Sequence, residues 1–373
     1  MTGETMIPGR ATPEGTDTYR RRGGETVPEH CRSFGSCWLS SVGMGTYLGS
    51  EDPATDELYR EAVVHALELG INVVDTAVNY RHQRSERAIG QALSTLIGKG
   101  TLRREEVVVA TKGGFIPFDG EMPRNPGAYV TETYLRPGVI GSDDVVAGCH
   151  CMTPRYLADQ LERSRRNLGL ETLDIYYVHN PETQLGEVDR PEFLKRIHGV
   201  FEFLESSVRD GKIGCYGTAT WNGYRQPPTA RDYLSLAELE KVARVVAGAQ
   251  HHFRVVQFPY NLAMSEAFTR ANQSMDGETV SLLEAARRLG MYVMASASIY
   301  QGQLIRNLPP VLADNLPGLA TDAQRAIQFV RSTPGVGTAL VGMKRVAHVE
   351  ENAALAKVPP VPWSEFKKLF KEA

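Results

Sequence analysis

The sequence predicts an α/β chain folded as a single (β/α)8 TIM barrel of parallel strands. Two observations carry that prediction. Short β-branched runs alternate with helical stretches eight times, each strand followed by a helix, which is the order of a parallel sheet closed into a barrel. Three of the strands also end on residues that a buried strand seldom tolerates. Asp75 follows the run 71–74, Lys112 closes 107–112 and His179 closes 173–179. An ionised side chain in such a place needs a charged or hydrogen-bonding partner. Active sites of this fold are built at the C-terminal ends of the strands. The acid, the lysine and the histidine therefore read as one assembled site, with Tyr80 in the loop five residues beyond Asp75.

Residues 1–30 are rich in Gly, Thr, Pro, Glu and Arg and nearly devoid of apolar side chains. They are expected to form a flexible N-terminal arm, disordered or loosely packed, with ordering against the barrel bottom as the alternative, and one barrel domain over 31–373. Residues 38–46 read as the first strand, ending in Gly43-Met44-Gly45. That pair of glycines is a tight turn and not a dinucleotide fingerprint. A fingerprint needs a third Gly in step and an acid about twenty residues on, and here Gly49 is one place late and Asp75 too far along. Helix 56–69 presents Leu58, Val63, Ala66 and Leu67 on one face and stops at Gly70. Helix 85–96 precedes the strand that ends on Lys112.

The largest irregularity follows, an insertion over 113–151 with Phe115-Ile116-Pro117-Phe118, several prolines and glycines and the pair Asp143-Asp144. Connections of that length in compact domains are usually functional, so a lid or a wall of the substrate pocket is expected. Thr153-Pro154 then caps and opens a helix running to Leu168. Helix 191–210 and strand 212–218 come next, and Ser235-Leu236-Ala237-Glu238 is a capping box opening another helix. Strand 253–258, helix 278–289, strand 292–296, helix 321–331, strand 338–341 and helix 345–355 complete the eight units.

Composition excludes several functions. A net charge of −3 gives no electrostatic case for nucleic acid or an anionic membrane as partner. No apolar run reaches the ~20 residues of a membrane helix, and the N-terminus carries no hydrophobic signal core. Five cysteines, an odd number without framework spacing, suit a reducing cytoplasm. Cys149-His150-Cys151 is too tight for all three to reach one ion, so no metal site is expected. A small-molecule partner, acting on a monomer or small homo-oligomer, is what remains.

The motifs are more specific than the periodicity. D-T-A-x-x-Y from Asp75 to Tyr80, S-E-x-x-I-G from Ser85 to Gly90, V-A-T-K from Val109 to Lys112 and D-I-Y-Y-V-H from Asp174 to His179 resemble the aldo-keto reductase family, a resemblance covering residues 36–355. It implies a catalytic tetrad of Asp75, Tyr80, Lys112 and His179. The residue types suit carbonyl reduction. A free tyrosine is a poor acid at neutral pH, so Lys112 is expected to lower the pKa of Tyr80 and stabilise its phenolate. Asp75 keeps the lysine charged, and His179 orients the substrate carbonyl or relays a proton.

No side chain here can donate hydride, so a cofactor must. The resemblance implies an extended nicotinamide dinucleotide across the barrel mouth. Its implied contacts are Thr46, Tyr47, Asp75, Thr220 and Ser296, with Gln257 on the nicotinamide amide. Gly342, Met343, Lys344, His348, Glu351 and Asn352 form the implied adenosine-phosphate segment. Lys344 and Arg345 beside a helix N-terminus suit a 2′-phosphate, so NADPH is expected over NADH. His348 stands where the family often has arginine. Two departures stand out. Ala219-Thr220 replaces the family's Ser-Asn after strand five, and Ser296 replaces an aromatic after strand seven, leaving Tyr300, Trp221 or Tyr260 as substitutes. The expected function is NADPH-dependent reduction of an aldehyde or ketone to an alcohol. The alternatives are a cofactor-binding sensor barrel, and a lyase or isomerase that uses Tyr80 and Lys112 without net redox.

Overall fold

In the computed structural model, which describes residues 6–22 and 26–370, the segment preceding the barrel is ordered into a helix and a hairpin. Helix α1 (Pro13–Arg22) is followed by β1 (Cys31–Phe34) and β2 (Cys37–Ser40), paired antiparallel. Eight parallel strands then close a barrel. Six come first: β3 (Val42–Gly45), β4 (Val73–Asp75), β5 (Val108–Gly113), β6 (Leu173–His179), β7 (Ile213–Ala219) and β8 (Phe253–Pro259). A second hairpin, β9 (Ala271–Met275) with β10 (Glu278–Ser281), lies outside the barrel. Strands β11 (Tyr292–Ser296) and β12 (Thr338–Gly342) complete it, β11 against β8 and β12 against β3.

The helices between them are α2 (Pro53–Glu68), α3 (Arg84–Gly98), the short α4 (Pro126–Val130) inside the insertion, α5 (Pro154–Leu168), α6 (Arg190–Arg209) and α7 (Leu236–Ala247). After α8 (Glu266–Thr269) come α9 (Leu282–Arg288), α10 (Pro310–Asn315), α11 (Asp322–Ser332), α12 (Val346–Ala353) and α13 (Trp363–Phe366). Their ends follow the local chemistry. Asp52, Thr153 and Ser235 each accept a backbone N–H at the start of α2, α5 and α7, and Gly169 in a left-handed conformation ends α5.

Two cores result. One fills the barrel interior, where inward residues of successive strands meet: Val73, Val108, Ala110, Ile175, Tyr177, Val255, Met294 and Leu340. The other lies between strands and helices and holds such residues as Ile89, Leu93, Leu161, Val200 and Ile327. Leu39 of the first hairpin plugs the barrel bottom, and Phe34 of the same hairpin meets Tyr292 at 5.0 Å between ring centroids.

Three expectations about elements need correction. Part of the stretch read as a flexible arm is α1. Tyr19 is buried and its hydroxyl donates to the Leu67 carbonyl at 2.5 Å, so one aromatic docks a polar helix that has no apolar stripe to announce it. Residues 23–25 and 1–5 of that arm lie outside the described residues. The run 38–46 is two strands. Ser40, whose hydroxyl donates to the Val42 carbonyl and whose N–H is held by the Asn72 side chain, turns the chain from hairpin to barrel. The helix expected from 278 begins at Leu282, because Ser281 accepts the Glu284 N–H as its cap and the residues before it pair with β9.

Candidate active site

Strand register brings the tetrad together. Asp75 on β4 stands opposite Ala110, and Lys112 lies two residues further along the same inward face of β5. Lys112 in turn pairs with Tyr177, and His179 is two residues beyond it on β6. The Lys112 ammonium is fully buried, 2.6 Å from Asp75 Oδ2 and 2.7 Å from the Thr76 carbonyl oxygen. Burial pushes its pKa down and the aspartate pushes it back, so the pair holds charge where neither group alone could. The other Asp75 oxygen accepts from Gln257 Nε2 at 2.8 Å.

Tyr80 hangs above this pair, with Lys112 Nζ 5.0 Å from its ring centroid and the His179 ring 5.9 Å away, edge-on. Burial raises the Tyr80 phenol well above its usual pKa, and Asp75 and Tyr47 add to the shift. The direction is opposite to the expected lowering by Lys112. The ammonium is neutralised by Asp75 at contact distance, so the phenol sees little net positive charge. The Tyr80 phenol therefore keeps its proton. Burial, then Lys112 and His150, push the His179 imidazole well below 6.5, so it is neutral. The loop that places Tyr80 is unusual: Arg81, His82 and Gln83 take φ of 49°, 52° and 73°, three consecutive non-glycine residues in the left-handed region. They are held by Arg81 on the Ser50 carbonyl and Asp56, and by Gln83 on the Phe118 carbonyl.

One cavity of about 900 Å³ opens over the tetrad and runs across the barrel mouth to α12. Asp75, Tyr80 and His179 line one end; Lys112 sits beneath them without reaching the surface. Thr46, Tyr47, Thr220, Gln257 and Ser296 line the middle, and Gly342, Lys344, His348, Glu351 and Asn352 the far end.

A family model described as the aldo/keto reductase family matches residues 41–304. The chain belongs to that family. This aldo/keto reductase is 24% identical over 285 residues to the NADH-specific methylglyoxal reductase of Escherichia coli (strain K12), a match covering 75% of this chain and 69% of that protein. It is 27% identical over 144 residues to prostaglandin F synthase 1 of Bos taurus, covering 39% of this chain and 32% of that one, so that match spans about a third of the bovine protein. The aldo/keto reductase of Klebsiella pneumoniae, solved with NADP and acetate, shares the fold at TM-score 0.60 and 21% identity, with 92% and 96% of the two chains covered. The holo form of an aldo-keto reductase from Bacillus halodurans does so at TM-score 0.62 and 20% identity, with 92% and 97% covered.

Buried polar atoms along the cavity test whether this reductase's residues fit a dinucleotide. Thr220 Oγ1, Asn352 Oδ1 and Asn79 Oδ1 are buried without a hydrogen-bond partner among the described residues, and all three residues line the cavity. Orphaned acceptors at both ends of one groove suit a long ligand carrying amide and amino donors. Two expected contacts do not reach it. The Met343 side chain turns into the strand–helix core, and Arg345 is exposed at the start of α12 outside the cavity lining. Alternation along β12 explains the first: Leu340 and Gly342 face inward, so the residue between Gly342 and Lys344 faces out. Of the three proposed aromatic substitutes only Trp221 lines the cavity. Tyr260 stacks on Phe329 in the outer core, and Tyr300 lies off the lining.

Sequence reasoning missed two further residues. Asn180, next to His179, lines the cavity from a left-handed conformation, and a lone Asn carries no advance signal. Glu182 Oε1 accepts the backbone N–H groups of Trp221, Asn222 and Gly223 at 2.8, 3.1 and 3.3 Å. It thereby fixes the loop in which Ala219-Thr220 replaces Ser-Asn. Of the insertion, Phe115 alone lines the cavity; Phe118 packs on His82 and Tyr129, and Tyr134 on Tyr156. Among the described residues no cluster of His, Cys, Asp or Glu could hold a metal, and no helix is long and apolar enough to cross a membrane.

Proposed function

We propose that the protein reduces the carbonyl of a small aldehyde or ketone to an alcohol, with NADPH as hydride donor and Tyr80 as proton donor. The observation supporting this reading is the single cavity that joins Tyr80 and His179 to Lys344 and Asn352. Bound nicotinamide would supply the hydride; the residues supply the rest. As the carbonyl carbon accepts the hydride pair, its oxygen becomes an alkoxide far more basic than a phenolate. Proton transfer from Tyr80 is then downhill even with the phenol's pKa raised. The neutral His179 imidazole donates to the substrate oxygen and fixes its approach. Thr220 and Gln257 would hold the amide end of the cofactor, and Asn352 and Glu351 its adenine end. Lys344, the cation on the cavity wall at that end, would answer a 2′-phosphate.

Consumption of NADPH against a panel of sugars, steroids and small aldehydes tests the reading. Tyr80→Phe removes only the hydroxyl. Reduction should fall by the ~10²–10⁴-fold of a lost general acid while cofactor binding is kept. Near-parental turnover in that variant would show the proton comes from elsewhere. Side-by-side titration with NADH tests the cofactor preference: Lys344→Ala should weaken NADPH and leave NADH unchanged.

A further inference from the structure

The return strand of the insertion lands against the back of His179. Phe115 and His150 form an antiparallel bridge, closed by Ile116 N–H donating to the Cys149 carbonyl at 2.8 Å and Cys151 N–H to the Gly114 carbonyl at 2.9 Å. This stem delivers a fully buried imidazole. His150 Nε2 lies 2.7 Å from the His179 carbonyl oxygen, and its Nδ1 lies 2.9 Å from Gln184 Nε2.

The proton positions follow by elimination. Arg196 donates to Gln184 Oε1, which leaves the amide nitrogen of Gln184 to face His150. That nitrogen can only donate, so His150 Nδ1 is an acceptor and Nε2 carries the hydrogen. The His179 carbonyl receives it. Room for this contact exists because residue 114 is glycine: a Cβ there would stand 2.7 Å from the His179 oxygen and 2.9 Å from His150 Nε2. The Phe115 ring stands edge-on to both imidazoles, 5.1 Å from His150 and 5.0 Å from His179. His179 Nδ1 has no hydrogen-bond partner among the described residues, so its own ring is not steered by a bond on that side. Backbone placement and the Phe115 edge must fix it.

We infer that His150 is a positioning residue for the reduction, holding catalytic His179 in register through its main-chain carbonyl as the last link of Arg196–Gln184–His150–His179. The insertion is thus part of the catalytic architecture at its stem. The inference rests on the reductase reading, and its test carries one arm that needs no turnover.

His150→Leu, His179→Gln and the double variant are compared in benzaldehyde reduction with NADPH. His150→Leu should lower kcat at least ten-fold with NADPH affinity unchanged, and the double variant should be no slower than His179→Gln alone. Multiplying losses in the double variant, or a parallel loss of NADPH affinity, would overturn the proposal. In cofactor-free protein labelled with ¹⁵N-histidine, His150→Leu should shift the His179 ring nitrogens; unmoved resonances overturn it too. This second arm decides the matter if the parent reduces no carbonyl of the panel. Should His150→Leu fail to fold, Gln184→Leu frees the His150 tautomer while leaving the ring in place. The same shift and the same loss of kcat are expected from it, and their absence refutes the linkage.

Discussion

Lys112 carries its charge at full burial because Asp75 touches it, so removing one partner strands the other. Asp75→Asn should cost about 3–5 kcal/mol of stability, read by urea denaturation. Adding Lys112→Met should restore much of it, since the uncompensated ammonium is then gone. Buried histidines give a second residue-scale prediction. His30, whose Nε2 lies 2.9 Å from the Gly70 carbonyl oxygen, and His150 are both pushed down to about 4 by burial. An unfolded histidine protonates near 6.5. Between these values the unfolded chain binds protons that the native state refuses. Stability therefore falls as pH drops from 6.5 towards 4, by roughly 1.4 kcal/mol per pH unit for each histidine. Urea midpoints measured from about pH 7 down to about pH 4.5 should show it, and His30→Asn should flatten the slope. At this scale the sequence singled out Asp75, Lys112 and His179 because each interrupts the apolar run of a strand, and Tyr80, in a loop, only through the D-T-A-x-x-Y resemblance. It did not disclose that Gln257 would bind Asp75, that Met343 would face outward, or that Lys112 would leave the Tyr80 pKa unlowered. Those depend on which side chains meet across the barrel.

Helices and strands were legible where caps and periodicity agree, as at Ser235 and Thr153, and illegible where a short polar hairpin precedes a cap. Glu278-Thr279-Val280 reads as a helical first turn until its pairing partner is known. The S-E-x-x-I-G motif acquires a physical cause at this scale. A Cβ on Gly90 would stand 2.6 Å from the Asn167 carbonyl oxygen and 2.9 Å from that of Leu168, so α3 crosses the end of α5 in near backbone contact. Glu86 of the same motif accepts from Thr111 and Asn167 at 2.6 and 2.8 Å, tying α3 to β5 and to the end of α5. Gly90→Ala should destabilise the protein by about 1–3 kcal/mol, the range for overpacking. Thermal melts of the pure variant measure it, with cofactor affinity expected to hold because Gly90, Asn167 and Leu168 are not among the residues lining the cavity.

The molecule divides into a bottom that stabilises and a top that reacts. The barrel bottom is closed by the hairpin and by α1, with Ala11 N–H and Arg104 both on the Asp174 carboxylate. Cavity and tetrad occupy the opposite rim. Deleting residues 1–22 removes the buried Tyr19 and should lower stability by at least about 1.5–3 kcal/mol. Binding of NADPH to the shortened chain, measured by fluorescence titration, should match the parent. The barrel was predictable as a whole because eight strand–helix units leave few ways to bury both faces of a parallel sheet. The docked α1 was not, because its only anchor in the strand–helix core is Tyr19, among polar neighbours.

The left-handed turn over Arg81, His82 and Gln83 has a consequence for engineering. Each such residue costs roughly 1 kcal/mol relative to an unstrained conformation, and the bonds of Arg81 and Gln83 hold the turn closed against it. The His82 side chain contributes less to that closure, reaching Glu51 and lying tilted against the Phe118 ring. A glycine at 82 would relieve the local strain and loosen the segment that aims the phenol. Heat tolerance and turnover should therefore move in opposite directions in His82→Gly, so a screen for thermostability alone would select a slower enzyme at this position.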